Sequence, residues 1–291
     1  MSRPAKIEIA AVNIRIPSDR ERNYTNLVDC LYKLRRGIKV FGNTYIAITH
    51  FDRNTGIGVV SRYDEIDIDD DWFDIEYFRE ALPEKIQDIS IPDGLRPHHS
   101  AFYFILDSDL HTIFFEVYAN SKTISTKSIE LYFSGILKEG DVASTFGHVE
   151  ADIIKNYGEI ERILHLSNLK ELKITIKRPN CDEITEELEK EIEEALFEQN
   201  GDKYVSALYS DESNLIPNKK TQALAYVAAE NGDVEAKNIE NGLVVPHSTK
   251  EKPMKMADSY QPDDLSEKNV FIALATAMRE LIYKKRHARL G

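Results

Sequence analysis

The chain of 291 residues is long enough for two packed units or one large one, and its 42% apolar content, with 14 Tyr and 12 Phe, argues for folded cores rather than disorder. Its net charge of −13 disfavours indiscriminate binding to nucleic acid, yet the charge is concentrated: residues 64–93 carry −10 and residues 181–202 carry −9, which leaves +6 on the remainder and room for a local basic face. Cys30 and Cys181 have neither CxxC spacing nor a close histidine, no apolar run approaches 18 residues, and the first ten residues lack an apolar signal core. Disulfides, zinc, a membrane span and secretion are therefore not expected, and a cytoplasmic location is.

In chain order, IEIAAVNIRI (7–16) alternates as a strand, ended by Pro17, with Ser18 and Asp19 as helix-capping candidates. Residues 26–36 place Leu27, Cys30, Leu31 and Leu34 on one helical face, and Gly37 supplies a stop. Strands near 43–51 and 57–63 flank the turn DRNTG. The acidic stretch DEIDIDDDWFDIEYF follows, then the loop SIPDGLRP. The stretch 96–118 reads as a hairpin, and a helix near 125–138 turns Ile129, Phe133, Ile136 and Leu137 inward.

From about 147 the pattern alternates: strand HVEADIIK, helix GEIERILHL, strand LKELKITIK, an amphipathic helix over 182–198 with Ile184, Leu188, Ile192, Ala195 and Leu196 on one face, strand KYVSALYS, and helix KTQALAYVAAENG. Two short strands within 233–260 and a last helix from Ser266 to about 287 complete the chain. The fold class is α+β: an N-terminal, mostly antiparallel sheet domain with hairpins and packed helices (1–145), then a ferredoxin-like α/β sandwich with a terminal helix (146–291).

Residues 96–118, RPHHSAFYFILDSDLHTIFFEVY, crowd three histidines and two aspartates around two apolar runs. With DSDL as the loop, Leu106 opposes His111, and His99 lies seven positions down the ladder, roughly 23 Å from His111 at ~3.3 Å per residue. One metal cannot span that distance. The register puts Phe102, Phe104, Leu106, Ile113, Phe115 and Val117 on one side, and Tyr103, Ile105, Phe114 and Tyr118 on the other, so both faces are apolar, as in a doubly covered hairpin. Tyr103, Phe114 and Tyr118 form either core or a base-stacking platform, and core is the ordinary role of such rings. Asp107 and Asp109 read as turn residues, and His98 and His99 as loop residues with a general base as the functional alternative.

Asp64, Glu65, Asp67, Asp69, Asp70 and Asp71 could offer oxygen ligands to a divalent cation but lack EF-hand spacing, so they read as a solvated surface or one that meets a basic partner. Asp152 followed by Glu171 and Lys173 is similar to the acid and acid-x-Lys pattern of metal-dependent nucleases, in which carboxylates hold metal and lysine orients water. Three basic clusters remain: Lys33, Arg35, Arg36 and Lys39; Lys177 and Arg178; and Lys284, Lys285, Arg286 and Arg289. They serve either helix termini or a phosphate-binding face. No phosphate-cradle, zincin or nucleophile-elbow motif is present, and no cofactor or resident metal is expected.

VNIRI, DIDDDWFD, SIPDGLRP with AFYFILD, and ITIKRPN, in this order, resemble an uncharacterised family of bacterial proteins, a domain of unknown function often borne on mobile or prophage DNA. The resemblance spans most of the chain and brings no catalytic residues with it. In element order the chain also resembles the A component of the Rex phage-exclusion system, which implies a DNA-associated, dimeric antiviral sensor acting with a second defence component. The expectation from sequence is thus a non-enzymatic, cytoplasmic, homodimeric nucleic-acid-binding protein of antiphage defence. A metal-dependent nuclease or other effector enzyme, and an acidic protein-interaction module, are the alternatives.

Overall fold

The computed structural model describes residues 3–17, 19–68, 70–87, 89–178 and 187–287. Its spine is β1 (Ala5–Arg15), whose residues from Ile9 to Arg15 are all buried because both faces and both edges are covered. Helix α1 (Tyr24–Lys33) starts at Asn23, whose side chain accepts from the Asn26 amide, rather than at Asp19; Ser18 lies outside the described residues. It ends before Gly37, with Arg35 taking the left-handed conformation (φ 47°) that closes a helix. Gly37 serves packing instead, since a Cβ there would lie 2.0 Å from the Tyr63 hydroxyl.

Strands β2 (Ile38–Phe41), β3 (Thr44–Phe51) and β4 (Ile57–Asp64) form a meander. An excursion follows, with β5 (Phe73–Asp74), β6 (Arg79–Glu80) and the single turn α2 (Pro83–Ile86). The chain returns as β7 (Ser100–Asp107), β8 (Thr112–Ala119) and β9 (Lys122–Thr123), then α3 (Thr126–Ile136) and α4 (Gly140–Phe146), the latter not evident from periodicity. Next come β10 (Glu150–Ile153), α5 (Tyr157–Leu164), β11 (Leu169–Lys177), α6 (Glu187–Glu198), β12 (Lys203–Tyr209) and α7 (Lys219–Asn231). The chain closes with β13 (Gly232–Glu240), β14 (Leu243–Ser248), β15 (Lys255–Tyr260) and α8 (Glu267–His287).

The first sheet runs β10-β1-β8-β7-β4-β3-β2 and is antiparallel throughout. β10 and β15 share one edge of β1 end to end, β10 along Val12–Arg15 and β15 along Ala5–Ala10, while β8 occupies the other edge. The second sheet, β12-β11-β13-β14, is also antiparallel. It is the expected α/β sandwich with its own strand order: β11 and β12, which flank α6, are direct neighbours, where a ferredoxin-like order sets a strand between them. Of the residues after 145, β10, β15 and α8 pack on the first sheet and β11 to β14 make the second.

Two hydrophobic cores result. One packs α1, α3 and α4 on one face of the first sheet through Leu27, Leu31, Phe102, Phe104, Phe115, Tyr132, Phe133 and Ile136. The other joins the opposite face, through Ile7, Ile9 and Phe114, to α5, α7, α8 and the inner residues Leu172, Ile174, Ile176 and Val234 of the second sheet. The layers are therefore helix, sheet, helix, sheet. The β7–β8 hairpin divides its side chains between the cores as its parity predicts, but its register pairs Leu106 with Ile113 and Asp107 with Thr112, two residues from the expected pairing. The loop is 108–111, set by Asp107 accepting from the Leu110 amide and by His111 at φ 51°. A shift of two preserves the faces, because side chains alternate with period two.

Candidate functional site

Asn13 and Arg15 are the buried polar members of β1, and they project where β1 meets the second sheet. The Arg15 guanidinium, buried, holds Asp152 and reaches Glu150 at 3.1 Å, both from the neighbouring β10. Lys177, the last residue of β11, reaches Asp152 at 2.5 Å from the other side. Burial alone would raise the Asp152 carboxyl, but the two cations hold it down at about 2. Asn13 and Arg15 also donate to Asn231 Oδ1 at 3.0 and 3.4 Å, at the end of α7. Beside it, buried Glu230 accepts from Tyr157 at 2.6 Å and from Arg286 of α8 at 2.7 Å. This hub ties β1, β10, β11, α7 and α8 together. A cleft of about 130 Å³ beside it mixes Arg15, Arg178 and His148 with Glu150, Glu193 and Asp202, so neither sign of charge dominates its walls.

The hub decides the fate of the basic clusters. Lys177 and Arg286 meet within it and point inward onto Asp152 and Glu230. Lys285 pairs with Glu161 at 2.5 Å, and Arg178 donates to the Gly201 carbonyl at 3.2 Å. On α1, across the first sheet, Lys33 pairs with Asp29 at 2.7 Å and Arg36 with Glu139 at 2.9 Å. Arg35, Lys39 and Lys284 are exposed, and Arg289 lies outside the described residues. The three clusters do not converge on one surface, because the first belongs to the opposite face of the sheet from α8.

The remaining candidates are dispersed as well. Asp152, Glu171 and Lys173 are not brought together: Glu171 pairs with Lys237 at 2.7 Å and Lys173 with Glu235 at 3.3 Å. Glu171 lies six ladder positions from Lys177, about 20 Å by strand rise. His98 sits against Asp64 at 2.9 Å and His99 against Ser61 at 3.0 Å; the Ser61 hydroxyl is buried and also contacts Thr49 at 2.9 Å. His111 stacks on Tyr24 instead, well away from both. Of the acidic run, Asp64 is engaged by Thr44 and His98, and Glu65 by Arg96; Asp69 lies outside the described residues. Asp107 and Asp109 both face Arg279 of α8. Of the rings proposed as a platform, Phe114 is core, Tyr103 stacks on Phe271 of α8 with ring centroids 6.1 Å apart, and Tyr118 is half-buried with the Lys6 ammonium 5.8 Å from its ring.

The second sheet has a face that its helices leave uncovered. Register places Glu171, Lys173, Thr175 and Lys177 of β11 on it, flanked by Tyr209, Ala207, Val205 and Lys203 of β12 and by Lys237, Glu235 and Asp233 of β13. Tyr209 and Val205 are exposed there. The strongly acidic α6 packs through Ile192 and Leu196 on the opposite, inner side.

The family model for a domain of unknown function, DUF4747, matches residues 5–276. The chain belongs to the DUF4747 family. No curated protein matches it. The match takes in both sheets and the first half of α8, so every residue of the hub of this DUF4747 chain except Arg286 lies inside the family's domain. Sequence reasoning passed over Arg15, Glu230, Asn231 and Glu116, yet a signal existed for two of them. Arg15 in VNIRI and Glu116 in FFEVY are charges inside runs whose faces are both apolar, and burial there demands a partner. Glu230 and Asn231 gave no such signal, because their partners Arg286 and Asn13 are remote in sequence.

Proposed function

We propose that this chain is a non-enzymatic, cytoplasmic, nucleic-acid-associated component of antiphage defence, homodimeric and acting with a second component. The observation that carries the nucleic-acid reading is the uncovered face of the second sheet, where the exposed ring of Tyr209 stands near Lys237 and Lys173, which are cross-paired with Glu171 and Glu235, and Lys203 lies at the far end of the same ladder. Such a face offers cations to a backbone and a ring to an unstacked base. It supports single strands over duplex, since a flat sheet does not enter a major groove as a helix does. The acidic segments lie elsewhere, on the excursion after β4 and on α6 beneath the opposite side of this sheet. The place in antiphage defence and the second component rest on the resemblance to the Rex system. The nuclease alternative loses support from the separation of Asp152 from Glu171 and Lys173.

Fluorescence anisotropy with labelled oligo-dT and oligo-U at low salt tests the reading. Tyr209→Ala is expected to weaken binding by about 1–3 kcal/mol, the worth of one stacked base. Lys173→Gln with Lys203→Gln is expected to flatten the salt dependence by up to about 1.4 in slope, at ~0.7 per phosphate contact on single strands. Binding that neither variant alters, or that is absent at low salt, removes the proposal. Sedimentation equilibrium tests the homodimer, and a purely monomeric chain at tens of micromolar rejects it.

A further inference from the structure

The residues between β4 and β7 leave the first sheet and contribute to neither hydrophobic core. Those described are held by contacts of their own. At the neck, Asp64 takes His98 at 2.9 Å, Glu65 takes Arg96 at 2.8 Å, and the Asp64 amide donates to the Pro97 carbonyl at 3.0 Å. In the body, the carboxylate of buried Asp74 accepts from the Glu76 and Tyr77 amides and from Lys85 at 2.8 Å, which shapes the tight β5–β6 turn. Trp72 donates to the Ile68 carbonyl at 2.9 Å, and Phe73 and Phe78 meet edge to face at 5.6 Å.

This small scaffold holds large apolar side chains out in water. Phe78 is 83% exposed, Ile75 82%, Tyr77 59% and Phe73 58%, with Leu82 beside them. A short hairpin that holds this many large apolar side chains in water, two of them in contact, marks an interaction site. The charge around it selects the occupant. Residues 64–93 contain twelve acids and two bases, and both bases are engaged within the element: Arg79 and Lys85 lie over the Tyr77 ring at 5.3 and 4.8 Å, and Lys85 also holds Asp74 and Glu76. Asp70, Asp71, Glu76, Glu80 and Glu84 remain exposed around the apolar group. A nucleic acid or an anionic membrane would meet this field with like charge.

We propose that the excursion between β4 and β7 is a docking element for a protein partner whose contact surface sets apolar anchors among lysines and arginines. The apolar side chains supply affinity once desolvated, and the surrounding acids supply orientation and rate. The site is separate from the uncovered face of the second sheet, so it stands whether or not that face takes nucleic acid.

Trp72 is the chain's only tryptophan and sits within the element, so its emission reports occupancy. The probe is a synthetic amphipathic peptide with leucine and phenylalanine on one helical face and lysine and arginine on the other, titrated into the full chain. Phe73→Ser, Ile75→Ser and Phe78→Ser together are expected to weaken binding at least about tenfold, as is the charge reversal of Asp70, Asp71 and Glu76 to Lys. The melting temperature should hold in both variants, because these side chains lie outside both cores. The same peptide with its apolar face changed to serine should bind at least tenfold more weakly to the unaltered chain. Equal binding by the serine peptide would reduce the contact to charge alone and overturn the proposal. So would unchanged binding in the Phe73, Ile75 and Phe78 variant, no binding of the amphipathic peptide, or a Trp72 response to DNA or to anionic vesicles of comparable strength.

Discussion

Lys177 Nζ reaches Asp152 Oδ1 at 2.5 Å, which fastens the end of β11 in the second sheet to β10 in the first. Asp152 is buried, and Arg15 holds it from the other side, so this contact is a structural bolt between the sheets rather than a metal ligand awaiting partners.

Asp152→Ala is expected to destabilise the chain by about 3–5 kcal/mol, because it strands the buried guanidinium of Arg15. The pH dependence follows from the sign of the shift. Burial opposes ionisation, but Arg15 and Lys177 hold the folded carboxyl at about 2 against the ordinary 3.8 of the unfolded chain, so its stabilisation is complete above about pH 4 and is lost as pH falls toward 2. The amount is on the order of 2 kcal/mol at ~1.4 kcal/mol per pH unit. Urea denaturation between pH 2 and 6 should show this slope in the parent and a shallower one in Asp152→Asn.

Lys284 and Arg286 are near neighbours on α8 with opposite roles. Arg286 closes on buried Glu230, whereas Lys284 is exposed. Arg286→Ala should cost about 3 kcal/mol or more, because buried Glu230 loses the guanidinium it faces, while Lys284→Glu should stay within about 0.5 kcal/mol. If reversal of the whole cluster weakens nucleic-acid binding, the loss should therefore track unfolding, and measuring the melting temperature of each variant separates the two causes. A folded, fully stable Arg286→Ala chain that no longer binds an oligonucleotide would show that this arginine meets the ligand after all.

Much of the fold was legible where the relevant contact is local. The β7–β8 hairpin showed its faces through parity alone, and α3 showed its inward stripe of Ile129, Phe133, Ile136 and Leu137. Its register was not legible, because the loop is set by Asp107 bonding forward and by His111 in a left-handed conformation, neither of which periodicity encodes. Pairings such as Ala5 with Tyr260 join the ends of the chain and leave no local pattern. The basic clusters misled for the same reason. A cation at a helix or strand end looks solvent-directed until the remote carboxylate it meets, Glu230 or Asp152, is placed. The acidic excursion was legible as composition, but only the fold shows Phe73 and Phe78 facing out.

Glu171→Ala with Lys173→Ala should leave the chain folded, with a loss below about 2 kcal/mol, since it removes two exposed cross-strand pairs worth under ~1 kcal/mol each. Any Mg²⁺- or Mn²⁺-dependent cleavage of plasmid or RNA by the purified parent should persist undiminished in this variant. Abolition of such cleavage, in a variant that still melts at the parent temperature, would restore the nuclease reading and require Asp152 to move toward the pair.

Glu116 carries the clearest alkaline signature. It sits fully buried in β8, one carboxyl oxygen accepting from the Tyr103 amide at 2.7 Å in place of a ladder carbonyl. Burial pushes the carboxyl from 4.5 up to about 8; the Tyr103 bond and Lys122 resist this and Glu267 adds to it. The folded state thus prefers the protonated group, and the unfolded chain releases the proton near pH 4.5. Stability from this group is highest below pH 4.5, declines as pH rises to about 8, and is flat beyond, for a total on the order of 3–5 kcal/mol. Glu116→Gln keeps an acceptor for the Tyr103 amide and cannot ionise, so its stability relative to the parent should grow across that window. Guanidinium denaturation at pH 5, 6.5 and 8 measures the difference directly, and a difference independent of pH would show that Glu116 is already ionised beneath α8 at neutral pH.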